Sequence, residues 1–151
     1  MNKLYFSLIL MIVMGVTSAF AQDNKGHVGE WKLALQRVTA SDGRIFQGDS
    51  TNIMQRKILT EQNQFIVVGE RFIDGVRLAS SVHGGHYSLN GSDYIEKIEY
   101  RVHKGFEKWK CKFTMTIDGD VMRQVGTLED GEGVKTVYDE LYVRVKSPVN
   151  I

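Results

Sequence analysis

From Gly29 onward the chain alternates between apolar and polar positions. Trp31, Leu33 and Leu35 stand against Lys32, Ala34 and Gln36, and Trp109, Cys111, Phe113, Met115 and Ile117 stand against Lys110, Lys112, Thr114 and Thr116. A period of two belongs to strands, whose successive side chains point to opposite faces. Further runs of this kind cover 53–59, 65–72, 76–82, 87–89, 94–102, 121–128 and 137–145. Turn pairs separate them: Asp42-Gly43, Asp74-Gly75, Gly84-Gly85, Asn90-Gly91, Asp118-Gly119 and Asp130-Gly131. Asn-Gly and Asp-Gly tolerate the positive φ of tight hairpins. The single proline, Pro148, follows the last run and interrupts nothing. Only Thr39 to Asn52 is long enough for an irregular excursion, read as a flap or short helix over one end.

Strands at this spacing, with no amphipathic helix between them, predict an all-β antiparallel domain. They must stack as a sandwich or close as a barrel. Sequential hairpins with few long crossovers favour closure, because a Greek-key sandwich needs long connections. The expected fold is therefore a single up-and-down barrel of about 8–10 strands.

The first 21 residues read as a targeting segment. Lys3 supplies a positive start, Leu4 to Val16 an apolar stretch and Ala19-Phe20-Ala21 a small-residue cleavage site, so the mature chain begins at Gln22. The apolar stretch is shorter than the roughly 20 residues that span a bilayer. The division is thus a signal peptide over 1–21 and a barrel domain over 22–151. The expected product is exported, periplasmic or secreted, soluble and not an integral membrane protein.

Cleavage leaves 130 of the 151 residues, a one-domain length. Cys111 is the only cysteine, so no internal disulfide forms and packing must supply the stability. Its place on the apolar face of the 109–117 run marks it as a core residue rather than a reactive thiol. Of 19 Lys and Arg against 18 Asp and Glu, Lys3 leaves with the signal segment, so the mature charge balances. Nothing draws such a chain to nucleic acid.

Several short motifs carry a resemblance. Gly29-Glu30-Trp31-Lys32-Leu33, Lys57-Ile58-Leu59-Thr60 leading to Phe65, and Gly84-Gly85-His86-Tyr87 with Gly91, Tyr94, Glu96 and Tyr100 come first. Asp118-Gly119-Asp120, Gln124, Gly126 and the closing Glu140-x-Tyr142-x-Arg144-Val145-Lys146 follow. In this order they resemble a group of small exported bacterial lipocalin-like domains, over nearly all the mature chain. Many members carry Trp where this chain has Tyr142. The resemblance implies a calycin-type barrel without an assigned reaction, in which Gly29 and Trp31 close one end and Arg144 from the last strand stacks on the Trp31 ring.

That end seal sets the facing of the other positions. With Trp31 and Arg144 turned inward, period two places Leu33, Leu35 and Arg37 inside on the first strand and Tyr138, Glu140 and Tyr142 inside on the last. Tyr94, Glu96, Ile98 and Tyr100 form the better interior face of their run. Between Phe65, Val67, Gly69, Arg71 and Ile66, Val68, Glu70, Phe72 the periodicity does not choose. The candidate ligand-binding lining is therefore Leu33, Leu35, Tyr87, Tyr94, Glu96, Tyr100, Trp109, Phe113, Met115, Glu140 and Tyr142.

Glu96, Glu140, Arg37 and Arg144 are the polar exceptions in that lining, and buried charge needs partners. They either close into a network among themselves and the tyrosines, or orient a ligand's head group. His83-Gly84-Gly85-His86 places two imidazoles across an expected turn, with no third ligand at a suggestive spacing, so no metal is indicated. His27 and His103 are isolated, and no cofactor is called for. Glu96 and Glu99 fall on opposite faces of one strand, and no nucleophile motif is present, so no catalytic residue is assigned.

Three functions fit this reading in descending order. The first is a carrier or sensor of a small apolar or amphipathic molecule, such as a fatty acid, sterol-like or isoprenoid compound, with Arg37 or Arg144 near its polar end. The second is a protein-interaction module with a side-chain-filled barrel, and the third a small isomerase or cyclase. The sequence favours a monomeric binding protein over an enzyme.

Overall fold

The computed structural model describes residues 25–146. The expected signal peptide over 1–21 and its cleavage point before Gln22 lie outside the described residues. Nine antiparallel strands follow in order: β1 (Gly29–Thr39), β2 (Ile45–Asp49), β3 (Ile53–Leu59), β4 (Gln64–Ile73), β5 (Val76–Asn90), β6 (Asp93–Arg101), β7 (Lys110–Asp118), β8 (Val121–Glu129) and β9 (Lys135–Arg144). Each pairs with the next from β3 to β9, and β9 pairs back onto β1, which closes the sheet. The only helical segments among the described residues are single 3₁₀ turns at Lys25–His27 and Phe106–Lys108.

The excursion expected over Thr39 to Asn52 is instead strand β2. It continues the course of β3 along the same side of β1: Thr39 to Leu35 pair with Ile45 to Asp49, and Lys32 to Gly29 pair with Arg56 to Leu59. Three steps along β1 from Lys32 to Leu35 are matched by seven from Asp49 to Arg56, so four extra residues loop out between the two halves. The ring accordingly has eight members, with β2 and β3 sharing one place.

Two of the positions read as lining face outward, and both errors have one cause. Ala34 is an extra residue in β1, because Leu33 opposes Tyr142 while Leu35 opposes Leu141. Such a bulge reverses the inward face beyond it. Leu35 is consequently 54% exposed and Arg37 is also outside, while Gln36 and Val38 are buried. Glu99 is extra in β6, where Tyr100 opposes Gly84 and Ile98 opposes Gly85. Ile98 therefore ends the inward series, and Tyr100 is 55% exposed.

Gly84-Gly85 is not a turn. β5 runs straight through it, and the two glycines are needed because neighbouring backbones come too close for side chains. A Cβ on Gly84 would lie 2.5 Å from the Phe65 carbonyl oxygen, and one on Gly85 2.0 Å from that of Lys97. His83 and His86 thus sit three apart on one strand and cannot converge on a metal. The real turn is Asp74-Gly75, with φ of 51° and 76°, the left-handed pair a two-residue hairpin requires.

One core fills the barrel, built on Trp31, Leu33, Leu59, Phe65, Tyr87, Tyr94, Phe113, Met115, Met122 and Tyr142. At the closed end Trp31 is fully buried, and its indole N–H donates to the His27 carbonyl at 2.8 Å. Arg144, opposite it in register, lays its guanidinium 4.1 Å from the Trp31 ring centre and donates to the carbonyls of Val28 and Gly26. Gly29 has φ of 136°, and a Cβ there would stand 2.7 Å from Arg144 Nη1. Glycine at that position is the condition for the stack.

The bulge makes a sharp contrast testable. Leu33→Ala should cost about 2–5 kcal/mol, as buried leucines do, whereas Leu35→Ala two positions on should change stability by no more than about 0.5 kcal/mol. Urea unfolding midpoints of the two variants measure the difference, and equal losses would mean that Leu35 faces the core.

Candidate functional site

The centre of the barrel is polar. Lys57, on the inward face of β3 with Ile53, Gln55 and Leu59, is 2% exposed. An ammonium group taken out of water needs acceptors around it. Its Nζ stands 2.6 Å from Glu96 Oε1 and 2.8 Å from Gln124 Oε1. The same ammonium lies 5.1, 5.7 and 5.8 Å from the ring centres of Tyr94, Phe113 and Tyr142, close enough for cation–π attraction.

Glu140, 5% exposed on β9, has no cation beside it and is held by neutral donors. Gln124 donates its amide to Oε2, Tyr142 donates its hydroxyl to the same oxygen at 3.0 Å, and Gln36 donates to Oε1 at 2.7 Å. Gln36 in turn accepts from Arg71 Nη2 at 2.8 Å. Two glutamines therefore relay between charges: Arg71 to Gln36 to Glu140 on one side, and Lys57 to Gln124 to Glu140 on the other. Gln55 donates to the Tyr142 hydroxyl at 2.6 Å, and Tyr94 donates to Glu96 at 2.9 Å.

Above this floor lies an interior cavity of about 190 Å³. It opens toward the end opposite Trp31, where β4 and β5 end in their hairpin and the β6–β7 connection crosses. Arg71, His83 and Tyr138 line it together with the apolar Val67, Ile98, Leu128, Phe106 and Trp109. Phe106 and Trp109 stack with ring centres 4.4 Å apart, and His83 meets Phe106 edge-on at 5.8 Å. A larger depression of about 670 Å³ lies on the outer wall, around Leu35, Arg37, Asp139 and Leu141. Gln36 borders both this depression and the interior cavity.

The candidate residues divide accordingly. Glu96, Trp109, Phe113, Glu140 and Tyr142 border the cavity. Leu33, Tyr87, Tyr94 and Met115 are buried in the packed core and do not border it. Leu35 and Tyr100 are on the outside, displaced by the bulges. Gly29, Trp31 and Arg144 form the closed end, so neither Arg144 nor the outward Arg37 reaches a ligand in the cavity. Sequence reasoning left Lys57, Gln36 and Gln124 out of the lining and did not decide whether Arg71 faces inward. Lys57 and Gln124 fall on inward parity with Leu59 and Met122, a signal that a charged or amide side chain in an apolar series ordinarily hides.

Burial shifts several groups. It raises Tyr94 and Tyr142 well above the ordinary phenol range, with the Glu96 and Glu140 carboxylates, respectively, adding to the effect. It lifts the Cys111 thiol from 9.0 to about 12, so this cysteine stays protonated and inert. It lowers His83, against the pull of Glu96. His86 lies on the outside, 2.7 Å from Glu99. Among the described residues no group of three or more His, Cys, Asp or Glu is placed to hold a metal ion. No helix among them is long and apolar enough to cross a membrane.

No protein-family model matches this sequence, and a search of curated proteins gives no match. Solved structures do match. The S-type phycobiliprotein lyase CPES from Guillardia theta aligns with a TM-score of 0.50 at 9% identity, over 87% of this chain and 96% of that one. The odorant-binding protein OBP1 aligns at 0.48 with 10% identity, over 83% and 76% of the two chains. Aphrodisin, a sex pheromone from female hamster, aligns at 0.46 with 12% identity, over 81% and 77%. At such identities the likeness is one of fold. The chain is an all-β, lipocalin-like antiparallel barrel.

Two outcomes follow from the buried groups. Lys57→Met should destabilise the fold by about 3–5 kcal/mol, because Glu96 is left buried without its cation. The double variant Lys57→Met/Glu96→Gln should recover part of that loss in urea unfolding. At alkaline pH the native state holds protons on Cys111, Tyr94 and Tyr142 that the unfolded chain releases. The stability these groups contribute is therefore complete below pH 9.0 and falls as pH rises, the Cys111 share being lost by about pH 12. Unfolding midpoints at pH 8 and pH 10.5 measure this slope, which Cys111→Ala should flatten.

Proposed function

We propose that this protein is an exported carrier or sensor that binds a small amphipathic molecule in the open half of its barrel. The observation that carries this reading is the 190 Å³ cavity, with a hydrogen-bonded polar floor and an upper lining in which aromatic and aliphatic side chains stand beside Arg71, His83 and Tyr138. Such a mixed lining suits a ligand with both polar and apolar parts. The volume lies below the ~300–1,000 Å³ of pockets for drug-sized ligands. A sterol-like compound or a long fatty acid is accordingly too large for the cavity, and the ligand class narrows to small molecules.

Export rests first on the N-terminal segment: a positive start, a short apolar run and Ala19-Phe20-Ala21. Its destination is periplasmic or secreted. The lipocalin-like fold supports binding in the interior, and the resemblance to small exported bacterial domains of this fold supports the same compartment.

One observation favours a second reading, a module that docks on another protein. Ile45 and Phe46 of β2, and Ile73, Val76 and Leu78 of the β4–β5 hairpin, are exposed apolar residues at the open end. Exposed apolar surface of this kind marks interaction sites.

Protein isolated from its native source should carry a single bound small molecule in native mass spectrometry. Trp109→Ala should weaken rebinding of that molecule about tenfold, with the melting temperature held to within a few degrees. Protein that comes out empty, but captures one partner through Phe46 and Leu78, would instead establish the docking module.

A further inference from the structure

Closure of the barrel buries three charged side chains among the described residues, Lys57, Glu96 and Glu140. One is a cation and two are carboxylates. Glu140 receives three hydrogen bonds and gives none, the pattern of an ionised carboxylate, and all three come from neutral groups. Gln36 and Gln124 cannot turn their amides away from it, because their carbonyls are held by Arg71 and Lys57. Lys57 therefore balances one carboxylate of the two, and the buried groups carry one negative charge in excess. Arg71 reaches Glu140 only through Gln36, and it is an exposed side chain whose charge water and salt screen. Burial lowers the pKa of His83, so it adds no charge at neutral pH.

Part of this negative charge borders the cavity with an acceptor to spare. Glu96 takes both Lys57 Nζ and the Tyr94 hydroxyl on Oε1, and its Oε2 has no partner among the described residues. The residue is 6% exposed and lines the cavity, so its vacant lone pairs belong to the cavity rather than to bulk solvent. Gln55 lines the same cavity. Its amide donates to Tyr142, which leaves its Oε1 without a partner as well. The rings of Phe113, Phe106 and Trp109 share this lining, and Phe113 already faces the Lys57 ammonium at 5.7 Å.

We propose that the cavity receives the protonated head of a small organic amine, which donates to Glu96 Oε2, with Gln55 Oε1 as the second free acceptor and its apolar body on Phe106, Trp109 and Ile98. This rests on the reading of the cavity as a small-molecule site. An ammonium group brings N–H donors, the missing positive charge and a cation for the ring faces in one step. Other chemistries bring fewer of these. A carboxylate would enter beside two glutamates. An alcohol can donate to Glu96 but leaves the excess charge in place, and hydrogen bonds between charged partners are roughly twice as strong as neutral ones. A bare calcium ion takes about six to eight oxygen ligands, far more than the free oxygens of Glu96 and Gln55 supply.

The test titrates benzylamine, benzyl alcohol and benzoate, three probes of similar size, into the mature chain by calorimetry at neutral pH. Benzylamine should bind about tenfold more tightly than benzyl alcohol, and benzoate least. Glu96→Gln, checked for folding by its melting curve, should bring benzylamine down to the level of the alcohol. Where that variant does not fold, the order of the probes on the parent chain decides. If the alcohol or benzoate binds as well as benzylamine, or the preference survives Glu96→Gln, the amine assignment falls while the small-molecule reading stands. If no probe binds, the molecule carried from the native source decides: a basic nitrogen in it upholds the assignment and its lack overturns it. An empty native protein that binds no probe overturns both.

Discussion

A lysine ammonium in the middle of a β-barrel must be surrounded by acceptors, and much of this interior follows from that requirement. Lys57 takes one oxygen from Glu96 and one from Gln124, and its charge sits against three aromatic rings. Gln124, with its carbonyl turned to Lys57, must present its amide the other way, to Glu140. Glu140 then draws the amide of Gln36, whose carbonyl takes Arg71. Each orientation fixes the next, so six strands contribute to one directional network. Such a network ties the interior to a single arrangement, which a uniformly apolar filling does not do.

The same requirement limits what the barrel can hold. A lower half filled by Trp31, Leu59, Phe65, Tyr87 and Met122 and a middle layer of hydrogen-bonded polar groups leave only the upper half open. The lipocalin-like frame is therefore combined with a shallow site rather than a deep apolar chamber. Its mouth sits beside the exposed apolar edges of β2 and the β4–β5 hairpin, so entry of a ligand and contact with another surface would take place at the same end.

The strands were legible because alternation is a local property. The 53–59 run coincides with β3, and the inward faces of β7 and β9 follow from period two without interruption. Facing failed only where an extra residue entered a strand. Ala34 and Glu99 are ordinary strand residues in sequence, and whether either becomes a bulge depends on the register of the partner, β9 or β5. The glycines at 84 and 85 read as a turn for the same reason. Their function is to let two neighbouring backbones approach, and the neighbours lie elsewhere in the chain.

Sequence alone determined the fold class and most of the strand series, while the partnership of Gly29, Trp31 and Arg144 at the closed end came from the family resemblance. The fold class and the strands rest on residue type and spacing, which are written along the chain. Tertiary structure decided the character of the interior. Lys57, Gln36, Gln124 and Arg71 come from β3, β1, β8 and β4, and each is unremarkable beside its sequence neighbours. Only closure of the barrel brings them within hydrogen-bonding distance, and a buried charge declares its role through the partners that burial forces on it.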